Sequence, residues 1–149
     1  MFLRMILKIL SKYAVTVACV LFTSCNINGT YENRESDKDD GQEIVREFYG
    51  FLGQGDFMKT YALYTHRFFT ITDTSKLEAL YVEINLTCGR VKEYTLINWK
   101  TTIVKGTNPI SEYIYSYDVS REKCKTRETL LLKQENDKIR IASYDVQMY

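Results

Sequence analysis

A chain of 149 residues with 20 Lys and Arg against 19 Asp and Glu has a net charge of +1 and no basic stripe, which gives no reason to expect a nucleic-acid partner. One histidine and four cysteines without close Cys/His spacing make no structural zinc pattern. The length leaves room for one domain and little else.

Arg4, Lys8 and Lys12 open the chain with positive charge, and Tyr13 to Phe22 follows as an uncharged, mostly apolar run. That is the order of a secretory signal peptide. A membrane-crossing helix needs about 20 apolar residues, and this run is roughly half that, so a removable signal is the better reading. The run ends in Leu21-Phe22-Thr23-Ser24-Cys25, which resembles the lipobox of bacterial lipoproteins, with Phe22 where Leu is usual. The resemblance implies that residues 1–24 are removed and that Cys25 carries acyl chains such as palmitate. Ordinary cleavage nearby, or an uncleaved anchor, is the competing reading. Position 26 is Asn, not the Asp that often holds lipoproteins at the inner membrane. By the same resemblance the protein belongs to the cell envelope, in the outer membrane facing the periplasm. Without Arg4, Lys8 and Lys12 the remainder carries about −2.

From Asn26 to Asp40 the residues are almost wholly polar or charged, with Ile27 and Tyr31 as the large apolar exceptions. Such a stretch buries too little surface to offset its ordering entropy, so residues 25–40 are expected to be a lipidated cysteine and a disordered tether. Residues 41–149 are then the domain. Asp39 or Asp40 can cap a first helix, with Ile44, Val45, Phe48, Phe51 and Leu52 at helical spacing and Gly53 at its end. Asp56 can cap a second, striped by Phe57, Tyr61, Tyr64 and Phe68. Ser75 and Glu78 form a capping box for a third, with Leu77, Leu80, Tyr81, Ile84 and Cys88 on one face and Gly89 as its stop.

After Tyr94 the period falls to two and β-branched and aromatic residues dominate, which predicts strands at about 94–105, 111–120, 126–135 and 139–148. Ile97, Trp99 and Ile103 should share one face of the first, and Tyr113, Tyr115, Tyr117 and Val119 one face of the second. Leu130–Leu132 and Ile139–Val146 are apolar on both faces, as the best-covered strands would be. The fold class is therefore α+β: three N-terminal helices on a curved four-stranded antiparallel meander.

Glu47-Phe48-Tyr49, Leu52-Gly53-Gln54-Gly55-Asp56, Tyr61-Ala62 and the closing run Lys138–Val146 give residues 41–149 a resemblance to the NTF2-like (cystatin-like α+β roll) superfamily. The resemblance implies a cone between sheet and helices, where relatives bind small molecules, and it speaks for fold far more than for activity. Tyr113, Tyr115, Tyr117, Trp99 and His66 are its candidate pocket lining. The competing reading for the tyrosines is core packing, since tyrosine suits a half-buried strand.

In a meander Cys88 and Cys124 fall at the same end of the sheet, so a disulfide is open to them. The alternative makes Cys88 the last apolar residue of its helix and Cys124 a free thiol. Asp118 and Asp145 are strand carboxylates, but Asp118 alternates away from Tyr117. No nucleophile motif, phosphate loop, cofactor signature or metal cluster is legible, and no catalytic set can be nominated. The expected function is a membrane-anchored envelope lipoprotein whose domain serves as a binding or accessory module for another envelope protein or a small apolar ligand. The alternative is a small cone-pocket enzyme of isomerase or hydrolase type.

Overall fold

Residues 28–149, as described by a computed structural model, form an α+β fold in which helices pack on one face of a five-stranded antiparallel sheet. Residues 1–27, with the expected signal segment and Cys25, lie outside the described residues. In chain order the elements are β1 (Gly29–Glu32), α1 (Glu35–Gln54), α2 (Phe57–Thr60), a 3-10 turn (Tyr61–Leu63), α3 (His66–Ile71), α4 (Thr74–Cys88), β2 (Val91–Lys105), β3 (Ile110–Arg121), β4 (Lys125–Glu135) and β5 (Lys138–Met148). Spatial order follows sequence order, β1-β2-β3-β4-β5. None of the described helices is long and apolar enough to cross a membrane.

The sheet has five strands, one more than expected, because part of the presumed tether is ordered. Gly29–Glu32 pairs with Thr102–Lys105 as an edge strand, and α1 begins at Glu35, not after Asp40. Composition misleads here because local charges are used structurally. Arg34 grips Asp37 through two 2.7 Å hydrogen bonds, which allows Asp37 to be buried, and its guanidinium covers the Tyr31 ring at 4.2 Å. Glu35 and Asp37 also place negative charge on the first turn, where the helix dipole favours it. At the other end α1 runs on to Gln54, and left-handed Gly55 closes it, not Gly53.

The expected second helix is broken into three pieces. Phe57, Tyr61, Tyr64 and Phe68 do sit on the core, but Tyr64 is extended and bridges Ile141 of β5, while the Thr65 backbone N–H donates to the Ile141 carbonyl at 2.9 Å. The Thr65 hydroxyl then caps α3 by accepting from the Phe68 N–H. For α4 the cap is Asp73, whose carboxylate accepts from Ser75 N–H at 2.9 Å; the Ser75/Glu78 box is not used. Leu77, Tyr81, Ile84 and Cys88 are buried as expected, and Gly89 ends the helix at φ 78°.

Each strand extends one to three residues beyond its expected bounds. The inward row of β3 is Tyr113, Tyr115, Tyr117, Val119 and then Arg121. On β2 a bulge at Ile97 turns that residue outward, so the inward row reads Tyr94, Leu96, Trp99, Thr101 and Ile103. A second irregularity at Ala142 resets β5, which is an edge strand exposing Ser143, Asp145 and Gln147; only β4 is covered as the apolar pattern led one to expect.

α1 lies so close to β3 that Gly41 has no room for a side chain. A β-carbon there would fall 2.2 Å from the Tyr115 hydroxyl oxygen and 2.9 Å from its ring carbons, and that hydroxyl donates to the Lys38 carbonyl at 2.8 Å. Gly41→Ala should therefore destabilise by about 1–3 kcal/mol, although alanine is intrinsically favoured in a helix by ~1 kcal/mol. Adding Tyr115→Phe should recover only part of the loss in urea denaturation, because the ring carbons stay in place. A stabilised Gly41→Ala would show that the helix can lift from the sheet at no cost.

Candidate functional site

The inward rows of β3 and β4 end in charge. Arg121 continues the tyrosine row of β3, and Glu128 precedes Leu130 and Leu132 on β4 in the same phase. The β3–β4 register and the side chains' length bring the two together: the Arg121 guanidinium donates to Glu128 Oε1 at 2.7 and 3.2 Å, with side-chain exposures of 5% and 0%. The Thr126 hydroxyl donates to the same oxygen at 2.6 Å, and Tyr144 of β5 donates to Oε2 at 2.6 Å. Tyr49 of α1 buries its hydroxyl near the same carboxylate without a hydrogen bond of ordinary geometry.

Around this group the aromatic rings pack on each other. Tyr49 stacks on Tyr94 with centroids 4.3 Å apart, Phe48 meets Tyr144 edge-on at 5.0 Å, and Tyr64 and Tyr81 join hydroxyls at 2.8 Å beside Thr60. Burial, reinforced by the Glu128 charge, pushes the Tyr144 and Tyr49 hydroxyls well above their usual value. Burial likewise pushes Tyr64 well up and Tyr81 up to about 12. These hydroxyls are thus neutral donors near pH 7.

A carboxylate beside tyrosines can move a proton, but here it is enclosed. Arg121 (twice) and Thr126 crowd onto Oε1, while Oε2 accepts from Tyr144 alone. The space beside Arg121, between Leu52, Phe57, Tyr81, Ile84 and Asn85, is a crevice of about 10 Å³, the room of one water at most. The interior is built as a core, with its buried charges paired and the Tyr49, Tyr61 and Thr101 hydroxyls left without partners.

Of the candidate lining, Tyr113, Tyr115 and Tyr117 are buried and face α1, and Trp99 is half-buried under the Lys38 ammonium at 5.1 Å. His66 is exposed at the start of α3, where its backbone N–H donates to the Glu135 carboxylate. None of these five residues lines the larger openings. One such groove, about 400 Å³, runs along Phe68, Ile71, Leu131 and Ala142; another, about 630 Å³, lies between α1 and β5 along Ile44, Glu47, Leu63 and Arg140. Asp118 points outward, where the Tyr149 hydroxyl and then Arg127 donate to it and hold it below its usual value. No three His, Cys, Asp or Glu side chains among the described residues come together as a metal site.

Cys88 and Cys124 are joined as a disulfide, with Cα atoms 4.9 Å apart and 36 residues of separation. The bond ties the end of α4 to the β3–β4 turn, a few residues from Arg121. The buried pair escaped the sequence reading, yet one signal was available: extending the inward alternation of each strand puts Arg121 and Glu128 on the core side, and opposite charges on adjacent inward rows call for each other. No family model, curated protein or solved structure matches this chain.

Proposed function

We propose that this protein is a membrane-anchored envelope lipoprotein, exported by residues 1–24, acylated on Cys25 and held at the outer membrane facing the periplasm. Its domain, of NTF2-like (cystatin-like α+β roll) type, serves as a binding or accessory module for another envelope protein or a small apolar ligand. The observation that carries this reading is the Cys88–Cys124 disulfide, a bond that persists in oxidising compartments outside the cytosol. The filled interior supports recognition through the outer surface, because a ligand would have to displace paired tyrosines to enter.

The enzyme reading has one observation in its favour, the Tyr144 hydroxyl 2.6 Å from the Glu128 carboxylate. Isomerases of this general shape pair a carboxylate base with a hydroxyl donor, but they need an open chamber. Here Arg121 and Thr126 hold Oε1, and the adjoining crevice of about 10 Å³ leaves no chamber for a substrate.

The test is Cys25→Ser. Incorporation of labelled palmitate should fall to background and the protein should move from the membrane to the soluble fraction. Undiminished labelling of the variant would remove the anchor from this account.

A further inference from the structure

The order found at the start of the domain changes how an acylated Cys25 would present it. Asn28 already lies against the β2–β3 turn: a β-carbon on Gly106 would fall 2.6 Å from Asn28 Oδ1, and Gly106 holds a φ of 145°. From Gly29 onward the chain is paired to β2, starting with Lys105. Only three residue steps separate Cys25 from Asn28. At 3.3–3.6 Å each, they span at most about 11 Å.

The headgroup layer on one side of a bilayer takes up roughly 5–8 Å of that reach. Resting on the Cys25 anchor argued above, we propose that the domain does not float from the membrane but is seated on the lipid headgroups by one end of its sheet. That end carries the β2–β3 turn (residues 106–109) and the β4–β5 turn at Asn136 and Asp137, with Lys105 and half-exposed Ile110 beside the exit point of the chain. The Cys88–Cys124 end faces away. β3 runs from the first end to the second over 12 residues, about 36 Å of strand.

Covalent reach decides the orientation, and charge does not. Near the seated end Lys105, Lys133, Lys138 and Arg140 stand among Glu112, Glu135, Asp137 and the Asp40, Glu43 and Glu47 carboxylates of α1, whereas the disulfide end carries a surplus of Lys and Arg. Anionic lipid would therefore draw the disulfide end if the chain were free. An 11 Å reach cannot bring that end to the bilayer while Cys25 stays in it.

The test uses the full acylated chain in vesicles of phosphatidylethanolamine and phosphatidylglycerol bearing a nitroxide on the headgroup. With Cys25 taken by lipid and Cys88 and Cys124 by each other, a fluorophore is placed through Thr107→Cys or Asn108→Cys at the near end, or Gln147→Cys at the far end; all three positions are exposed. Quenching at either near position should be at least about three-fold that at 147. A twelve-residue Gly/Ser insertion after Asn26, a coil of about 20 Å root-mean-square span, should bring the ratio below two. Equal quenching at the two ends, or a ratio indifferent to the insertion, would overturn the seated orientation. The mass of the N-terminal peptide keeps the two claims apart: an acylated Cys25 with equal quenching defeats this inference alone, and an unmodified Cys25 defeats the anchor and this inference with it.

Discussion

Replacing Arg121 with alanine should destabilise the protein by about 3–5 kcal/mol, read as a lower urea midpoint with an unchanged slope. The reason is what it leaves behind. Glu128 is fully buried, and Arg121 is its only countercharge within salt-bridge distance among the described residues. Once the guanidinium is gone, Thr126 and Tyr144 still donate to the carboxylate, but two neutral hydroxyls do not offset a buried charge. Glu128→Gln should cost less than Glu128→Ala, because the amide oxygen still accepts from Arg121 and Thr126. Removing both charges should not restore stability fully either, since the Tyr144 and Thr126 hydroxyls would then be orphaned in the core. An Arg121→Ala loss below about 1 kcal/mol would mean that water reaches the pair and that the crevice beside it opens in solution.

Loss of the Cys88–Cys124 bond should cost about 4 kcal/mol, the chain-entropy value for a 36-residue loop. Cys88→Ser/Cys124→Ser should still fold, because the same corner is stitched by other bonds. The Lys123 N–H donates to the Cys88 carbonyl at 2.8 Å, and Glu122 N–H donates to the Arg90 carbonyl at 3.1 Å. The guanidinium of Arg121 also reaches the Gly89 carbonyl at 3.5 Å, so the disulfide and the buried pair share a wall. Their losses should therefore not add, and a double-mutant cycle combining Arg121→Ala with the two serine substitutions should show a coupling of about 0.5 kcal/mol or more. Strict additivity would separate the two devices.

The parts of this architecture legible in the sequence are those written in a period. The strands were readable because Tyr113, Tyr115, Tyr117 and Val119 alternate, and α4 because Leu77, Tyr81, Ile84 and Cys88 recur before a glycine. Features that depend on a distant partner were not. Ile97 leaves its row only because β3 pairs on either side of it, and Tyr64 leaves its helix because Ile141 offers a bridge. β1 carries one large apolar side chain, Tyr31, and its reason to be ordered lies about 70 residues further on. Within the interior, the tyrosines were legible as inward-facing, but whether they enclose space or fill it depends on Phe48, Tyr49 and Tyr144 arriving from other elements.

The pairing of β1 with the far end of β2 also bears on how the chain is born. Synthesis releases Gly29–Glu32 first, whereas its partner Thr102–Lys105 emerges about 70 residues later, after every helix. At several residues per second the orphaned strand waits on the order of ten seconds with its amides unpaired. An apolar strand left in that condition would recruit other chains, as exposed edges do. Asn28, Thr30, Glu32 and Asn33 make it a poor template for such pairing. The polarity that disguises β1 as a tether thus guards the nascent chain against its neighbours until the sheet exists to receive it.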